Sequence, residues 1–249
     1  MASAGWSAML VACLAGMCVV SRASAQARYR TDGLCIQGGR HKARASPEGA
    51  GYSECFNYQQ NSCCTANFTR ILAAATVVSV DNFHWGRCGN LSQACEDFMI
   101  HIECFYRCSP NAAHWEGQFP SSIAGVPLCS GFCDDWWSAC RQQLSCATNW
   151  LFDYNTTDDG ENFCRTDSQC LTWEDRYGNA SNMCNTLWGA SFTYTTDPVD
   201  CVELNGTNLV ARNSEVARRL LPTGAVSSVQ AMPIVVLLGF VAAVVLLLG

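Results

Sequence analysis

The chain has 249 residues, of which 14% are charged, and 15 Lys and Arg stand against 21 Asp and Glu for a formal net charge of −6. That balance excludes a basic nucleic-acid face, and 18 cysteines exclude a thiol-buffered cytosolic setting. Sixteen of them lie between Cys35 and Cys201, an even set that includes the adjacent Cys63 and Cys64 and suffices for eight disulfides in a secreted domain.

Residues 1–25 read as a signal peptide. Met9 to Val20 is an apolar run too short to span a bilayer with ease, and Ala23-Ser24-Ala25 supplies the small-x-small cleavage pattern, so Gln26 starts the mature chain. Cys13 and Cys18 leave with it, which keeps the remaining cysteine count even. All 21 acidic residues and 14 of the 15 basic ones are retained, because only Arg22 is lost. Residues 26–212 have the size of one domain.

Gln26 to Gly51 is polar and rich in Gly and Pro, an extended loop held by Cys35. Asn67 to Ala75 is predicted as a short helix capped by Asn67, and Val77 to Val80 as a strand. The strongest helix runs from Ser92 to Tyr106, where Leu91, Cys95, Phe98, Ile102 and Phe105 recur at helical spacing behind a Ser92/Glu96 start, and Pro110 ends the region. A second helix is predicted from Ser130 to Gln142, with Cys129, Cys133, Trp136 or Trp137, and Cys140 on one face. Beyond Asn155 the chain is loop-rich, with a short helix at Met183–Trp188, a strand at Ser191–Thr196 and a last helix at Asn213–Leu221.

Residues 213–231 form a linker and anchor-attachment region. Met232 to Gly249 is an uncharged run of 18 residues preceded by the small and polar stretch Thr223 to Ser228, the pattern of a glycosylphosphatidylinositol signal. The expected attachment point is Gly224, with Ser227 and Asn213 as alternatives and a plain membrane span as the competing reading. The expected location is therefore the extracellular face of the plasma membrane. Five sequons, at Asn67, Asn90, Asn155, Asn179 and Asn205, agree with passage through the secretory pathway.

Chemistry-bearing patterns are few. Cys104-x3-Cys108 and Cys129-x3-Cys133 have a spacing that zinc can use, but an oxidising compartment and an even count favour disulfides that tie helices to loops. Asp134 and Asp135 are adjacent, so on a helix their carboxylates diverge by about 100° and suit a solvated edge better than shared acid–base work. His41, His84, His101 and His114 have no nucleophile motif beside them, and no phosphate loop or metalloprotease motif occurs. No enzyme activity and no metal are expected. Seven tryptophans remain after leader removal: Trp85, Trp115, Trp136, Trp137, Trp150, Trp173 and Trp188. They fit either of two roles, core filler or the walls of a slot for a planar heterocycle, and composition does not choose between them.

Longer motifs do choose. Arg87-Cys88-Gly89, Cys95-Glu96-Asp97-Phe98 and Ile102-Glu103-Cys104-Phe105-Tyr106-Arg107-Cys108-Ser109-Pro110 resemble the riboflavin-binding branch of the folate receptor family. So do Val126-Pro127-Leu128-Cys129, Phe132-Cys133-Asp134-Asp135-Trp136, Asn149-Trp150-Leu151, Gly160-Glu161-Asn162 and Trp188-Gly189, and the resemblance covers nearly all of Cys35 to Cys201. It implies an α+β, mainly helical single domain with short strands and eight bridges. The implied pairs are Cys35–Cys63, Cys55–Cys104, Cys64–Cys108, Cys88–Cys170, Cys95–Cys140, Cys129–Cys201, Cys133–Cys184 and Cys146–Cys164.

The same resemblance implies a ligand without a catalytic cofactor: riboflavin, its ring held between Tyr106 and Trp188, bound by a monomeric cell-surface receptor or carrier. Trp85, Trp115, Trp137, Trp150 and Tyr154 are candidate further walls, Tyr154 standing where the riboflavin-binding pattern has Trp. Folate receptors place an Asp shortly before the cysteine matching Cys104, where this chain has His101, Ile102 and Glu103. They also carry a basic stretch where Phe119 to Gly125 has none, and a His where this chain has Leu151. Folate or another pterin is therefore the second reading, and a ligand-less adhesion protein the third. Release driven by acid, as in the family's endosomal cycle, would draw on the histidines.

Overall fold

A computed structural model describes residues 27–223. Its helices are α1 (Ala66–Leu72), α2 (Gln93–Cys108), α3 (Ser130–Cys140), α4 (Trp173–Tyr177), α5 (Ala180–Thr186) and α6 (Leu209–Leu220). The strands are β1 (Ser79–Val80), β2 (Phe83–His84), β3 (Val126–Cys129), β4 (Leu144–Ser145), β5 (Asn155–Thr156), β6 (Asn162–Phe163), β7 (Leu171–Thr172) and β8 (Phe192–Thr195). They form four two-stranded sheets: β1–β2, β4–β7 and β5–β6 are antiparallel, and β3–β8 is parallel with Val126 opposite Phe192 and Cys129 opposite Thr195. A parallel pair needs a long crossover. Here it carries α3, α4 and α5, so the segment after α5 returns beside β3.

α2 is the spine. The Ser92 hydroxyl accepts from the Cys95 N–H at its start, and Arg107 lies in its last turn, where a cation complements the helix dipole. Its buried stripe is Cys95, Met99, Ile102 and Phe105. Phe98, expected on that stripe, is half-buried and sets its ring edge-on against Phe132 at 5.3 Å. On α3, Trp136 takes the core position and Trp137 lies about 100° further round the helix, half-buried.

Three helix starts differ from expectation, and α5, expected from Met183, begins at Ala180 behind Asn179, whose side chain accepts from the Asn182 N–H. α1 begins at Ala66 behind Thr65, not at a capping Asn67, because the cap comes from outside: Glu48 Oε2 accepts from the Ala66 N–H at 2.8 Å. Asn67 lies inside the helix and accepts from Arg70. α6 begins four residues before Asn213, behind Asn208 in the left-handed region (φ 56°). Asn213 is fully buried within α6, its amide group donating to the Glu203 carbonyl (2.8 Å) and accepting from the Glu203 N–H (3.0 Å). The folded unit thus runs past the expected boundary at 212 to a bridge between Tyr29 and Thr223.

The disulfides join Cys35–Cys63, Cys55–Cys104, Cys64–Cys108, Cys88–Cys170, Cys95–Cys140, Cys129–Cys201, Cys133–Cys184 and Cys146–Cys164. These are the pairs that the resemblance implies. Cys95–Cys140 locks α2 to α3, and Cys133–Cys184 locks α3 to α5. Trp85, Trp115, Trp136, Trp150 and Trp173 are fully buried and form much of the core. Among the described residues, no helix is long and apolar enough to cross a membrane. Gly224 and the apolar segments at residues 1–25 and 232–249 lie outside them. Of the sequon asparagines, Asn67, Asn90, Asn155 and Asn179 are exposed and Asn205 is half-buried.

Candidate ligand-binding pocket

Helical spacing turns Ile102, Glu103, Tyr106 and Arg107 of α2 towards one side. They form one wall of a cavity of about 260 Å³. Phe83 of β2, Ile123, Leu151, Trp188 and Phe192 of β8 supply most of the rest, so the lining is mainly apolar and aromatic. Tyr106 and Trp188, the two predicted ring clamps, both line it, one from α2 and the other from the turn after α5.

Tyr106 is fixed from two sides. Its O–H donates to the Ser121 carbonyl. The His41 ring stands edge-on to it (centroids 5.1 Å apart, 88° between planes) and donates from Nε2 to the Tyr106 carbonyl at 3.0 Å. Ser121 is in turn tied to Gln37, and this contact requires a glycine beside it. A Cβ on Gly38, at φ +138°, would lie 1.7 Å from the Ser121 hydroxyl oxygen. Trp188 is backed by Trp150 (5.6 Å, 70°) and by Phe83 (6.0 Å, 46°). The left-handed Gly189 (φ 60°) lets the chain turn directly after it.

The other predicted walls lie elsewhere. Trp150 and Tyr154 form a layer behind the cavity: Trp150 contacts Trp188, Phe83 and Trp173, and Tyr154 stands edge-on to Phe83 at 5.6 Å. Trp85 borders a separate small hollow with Glu96 and Asn90. Trp115 is core, packed beside His114, and Trp137 sits on α3 away from the cavity. Bulk identified these rings as aromatic but not which side of the sheet or helix they occupy. Phe83 was missed because it lies between the polar Asn82 and His84 and carries no local signal of burial.

The cavity has one charged end. Asp81 Oδ2 accepts from Arg107 and, at 2.9 Å, from Arg40, and all three residues line the cavity. Arg107 is buried with its guanidinium 4.3 Å above the Phe68 ring. Glu103, one turn before Arg107, has its carboxyl pushed up to about 7 by desolvation, against the pull of Arg107. None of the four histidines lines the cavity: His41 supports Tyr106 from behind, and burial lowers His41, His101 and His114, the last to about 4.

These shifts set opposite slopes. A carboxyl raised in the fold stabilises it fully below its ordinary value of 4.5, and that contribution is lost as pH rises through about 7. The depressed histidines destabilise the fold as pH falls through about 6.5. Glu103→Gln is therefore expected to flatten the decline in stability between about pH 4.5 and pH 7, an effect on the order of 3 kcal/mol. Denaturant midpoints across that range for wild type and variant measure it, and parallel curves would exclude Glu103 as the titrating group.

Stacking faces at one end and hydrogen-bonding charges at the other suit recognition of a planar ligand with a polar edge. The model for the Folate receptor family matches residues 34–203. The chain is 45% identical over 178 residues to a riboflavin-binding protein of Gallus gallus, covering 71% of this chain and 74% of that one. A riboflavin-binding protein of Dromaius novaehollandiae is 43% identical over the same shares. Folate receptor gamma of Homo sapiens is 34% identical over 212 residues, covering 80% of this chain and 85% of that one. The chain belongs to the folate receptor family.

Proposed function

We propose that this protein binds riboflavin, without chemistry, as a lipid-anchored receptor or carrier on the outer face of the plasma membrane. The observation that carries the reading is the placement of Tyr106 and Trp188 on a single cavity of about 260 Å³. That volume lies just below the roughly 300–1,000 Å³ range of small-molecule sites and suits one fused ring system with its side chain outside. The higher identity to the two riboflavin-binding proteins than to the folate receptor supports a flavin.

A pterin is the second reading, favoured by the carboxyl of Glu103 in the same wall, which could accept from an amino-substituted ring. Purified ectodomain should quench riboflavin fluorescence, and excess folic acid should not reverse the quenching. Reversal by folic acid at lower concentration than riboflavin itself would assign the site to pterins, and absence of quenching would end the flavin reading. For the anchor, phosphatidylinositol-specific phospholipase C should release the protein from intact cells. Retention after treatment would favour a membrane span in place of attachment at Gly224.

A further inference from the structure

The charged end of the cavity is unbalanced. Two guanidinium groups converge on one carboxylate oxygen, Asp81 Oδ2, so two positive charges face one negative. Arg107 is committed to the fold by its burial and its place over Phe68. Arg40 is not: its side chain is 52% exposed, and among the described residues Asp81 is its one hydrogen-bond partner, reached through Nη1. The Nε and Nη2 donors, the pair with which arginine grips a phosphate or carboxylate in a two-point fork, have no protein acceptor.

The surroundings leave that fork accessible. Gly160 borders it without a side chain, and a Cβ there would come within 4.0 Å of Nη2. The remaining cavity carboxyl, Glu103, is pushed up to about 7 by burial, so at neutral pH it offsets the second arginine only in part. A half-exposed cation with unused donors thus stands at the cavity rim of a chain whose formal charge is −6. Riboflavin itself is uncharged and offers the guanidinium hydroxyl and carbonyl acceptors but no anion.

We propose that the preferred ligand is a 5′-phosphorylated flavin, with its ring between Tyr106 and Trp188 and its phosphate monoester gripped by Arg40 at the rim. The proposal rests on the flavin reading above and sharpens it from the vitamin to its phosphate ester. The ring fills the cavity, and the ribityl phosphate extends through the opening towards the half-exposed guanidinium.

The test is a fluorescence titration of the purified ectodomain with riboflavin and with flavin mononucleotide, at low and at physiological salt. The mononucleotide is expected to bind at least as tightly as riboflavin. Its affinity should fall more steeply with salt, because only it is held by a partly exposed charge pair. Arg40→Gln should shift the ratio of the two dissociation constants against the mononucleotide by roughly tenfold or more, the scale of a charge-assisted hydrogen bond. Arg40→Lys should restore part of the shift. Tight riboflavin binding with weaker binding of the mononucleotide in wild type, or a ratio untouched by Arg40→Gln, overturns the phosphate proposal and leaves the flavin reading standing. Failure of both ligands to quench overturns both.

Discussion

Replacing Tyr106 and Trp188 together by alanine is expected to weaken flavin binding by at least an order of magnitude while the domain stays folded. Each face of a stacked ring contributes about 1–3 kcal/mol by analogy with bases on aromatic platforms. Loss of both therefore weakens binding by roughly 30-fold to 10⁴-fold. Each single variant should lose about the square root of that factor. Neither residue is among the fully buried side chains of the core, so the cost to the fold is modest. Trp137→Ala is the comparison, since that ring lies outside the cavity and its removal should leave affinity within twofold or so. Titration by quenching, with far-ultraviolet circular dichroism to verify folding, decides the matter. A double variant that binds like wild type would refute the sandwich.

Trp150→Ala is expected to have the largest effect on stability, a loss of about 3–5 kcal/mol by cavity formation. Trp150 is 1% exposed and is surrounded by Phe83, Tyr154, Trp173 and Trp188. Its Nε1–H donates to the buried Ser145 hydroxyl at 3.1 Å. Trp150→Phe keeps most of the volume and loses the donor, so its cost should be closer to 1–2 kcal/mol. Since Trp150 backs Trp188, the alanine variant should also weaken ligand binding without touching the ligand. Denaturant unfolding with the disulfides intact measures the first effect, and a midpoint unchanged in Trp150→Ala would show that the site repacks without a cavity.

How far the sequence spoke depended on whether the deciding interactions were local. α2 was legible because its cap, its apolar period and its following proline all lie within the segment. α1 was misplaced because its cap, Glu48, comes from 18 positions away. The start of α6 was missed because Asn208 launches it from the left-handed region without a side-chain cap bond. The two-residue strands β4 to β7 have no pattern long enough to read. Disulfide spacing alone left the pairing open, and only the resemblance to a known family supplied it. In the pocket, Tyr106 and Trp188 were reached through that resemblance. Phe83, Asp81 and Arg40 were not, since nothing in their own segments says that a loop at 40, a hairpin at 81–83 and a helix at 102–107 meet.

That meeting has a consequence for how the oxidised fold is completed. The cavity borrows its lining from Arg40 at one extreme to Phe192 at the other, so no proteolytic piece that lacks either extreme contains a complete site. Ligand capture therefore becomes a readout of finished assembly. A small molecule present during maturation would bind the completed form alone and draw the oxidation equilibrium towards it by mass action, stabilising it by about 2.7 kcal/mol at a hundredfold excess over the dissociation constant. In a domain with sixteen bridged cysteines, where mispaired sets greatly outnumber the correct one, ligand supply would then influence how much protein completes its fold as well as how much of it is loaded.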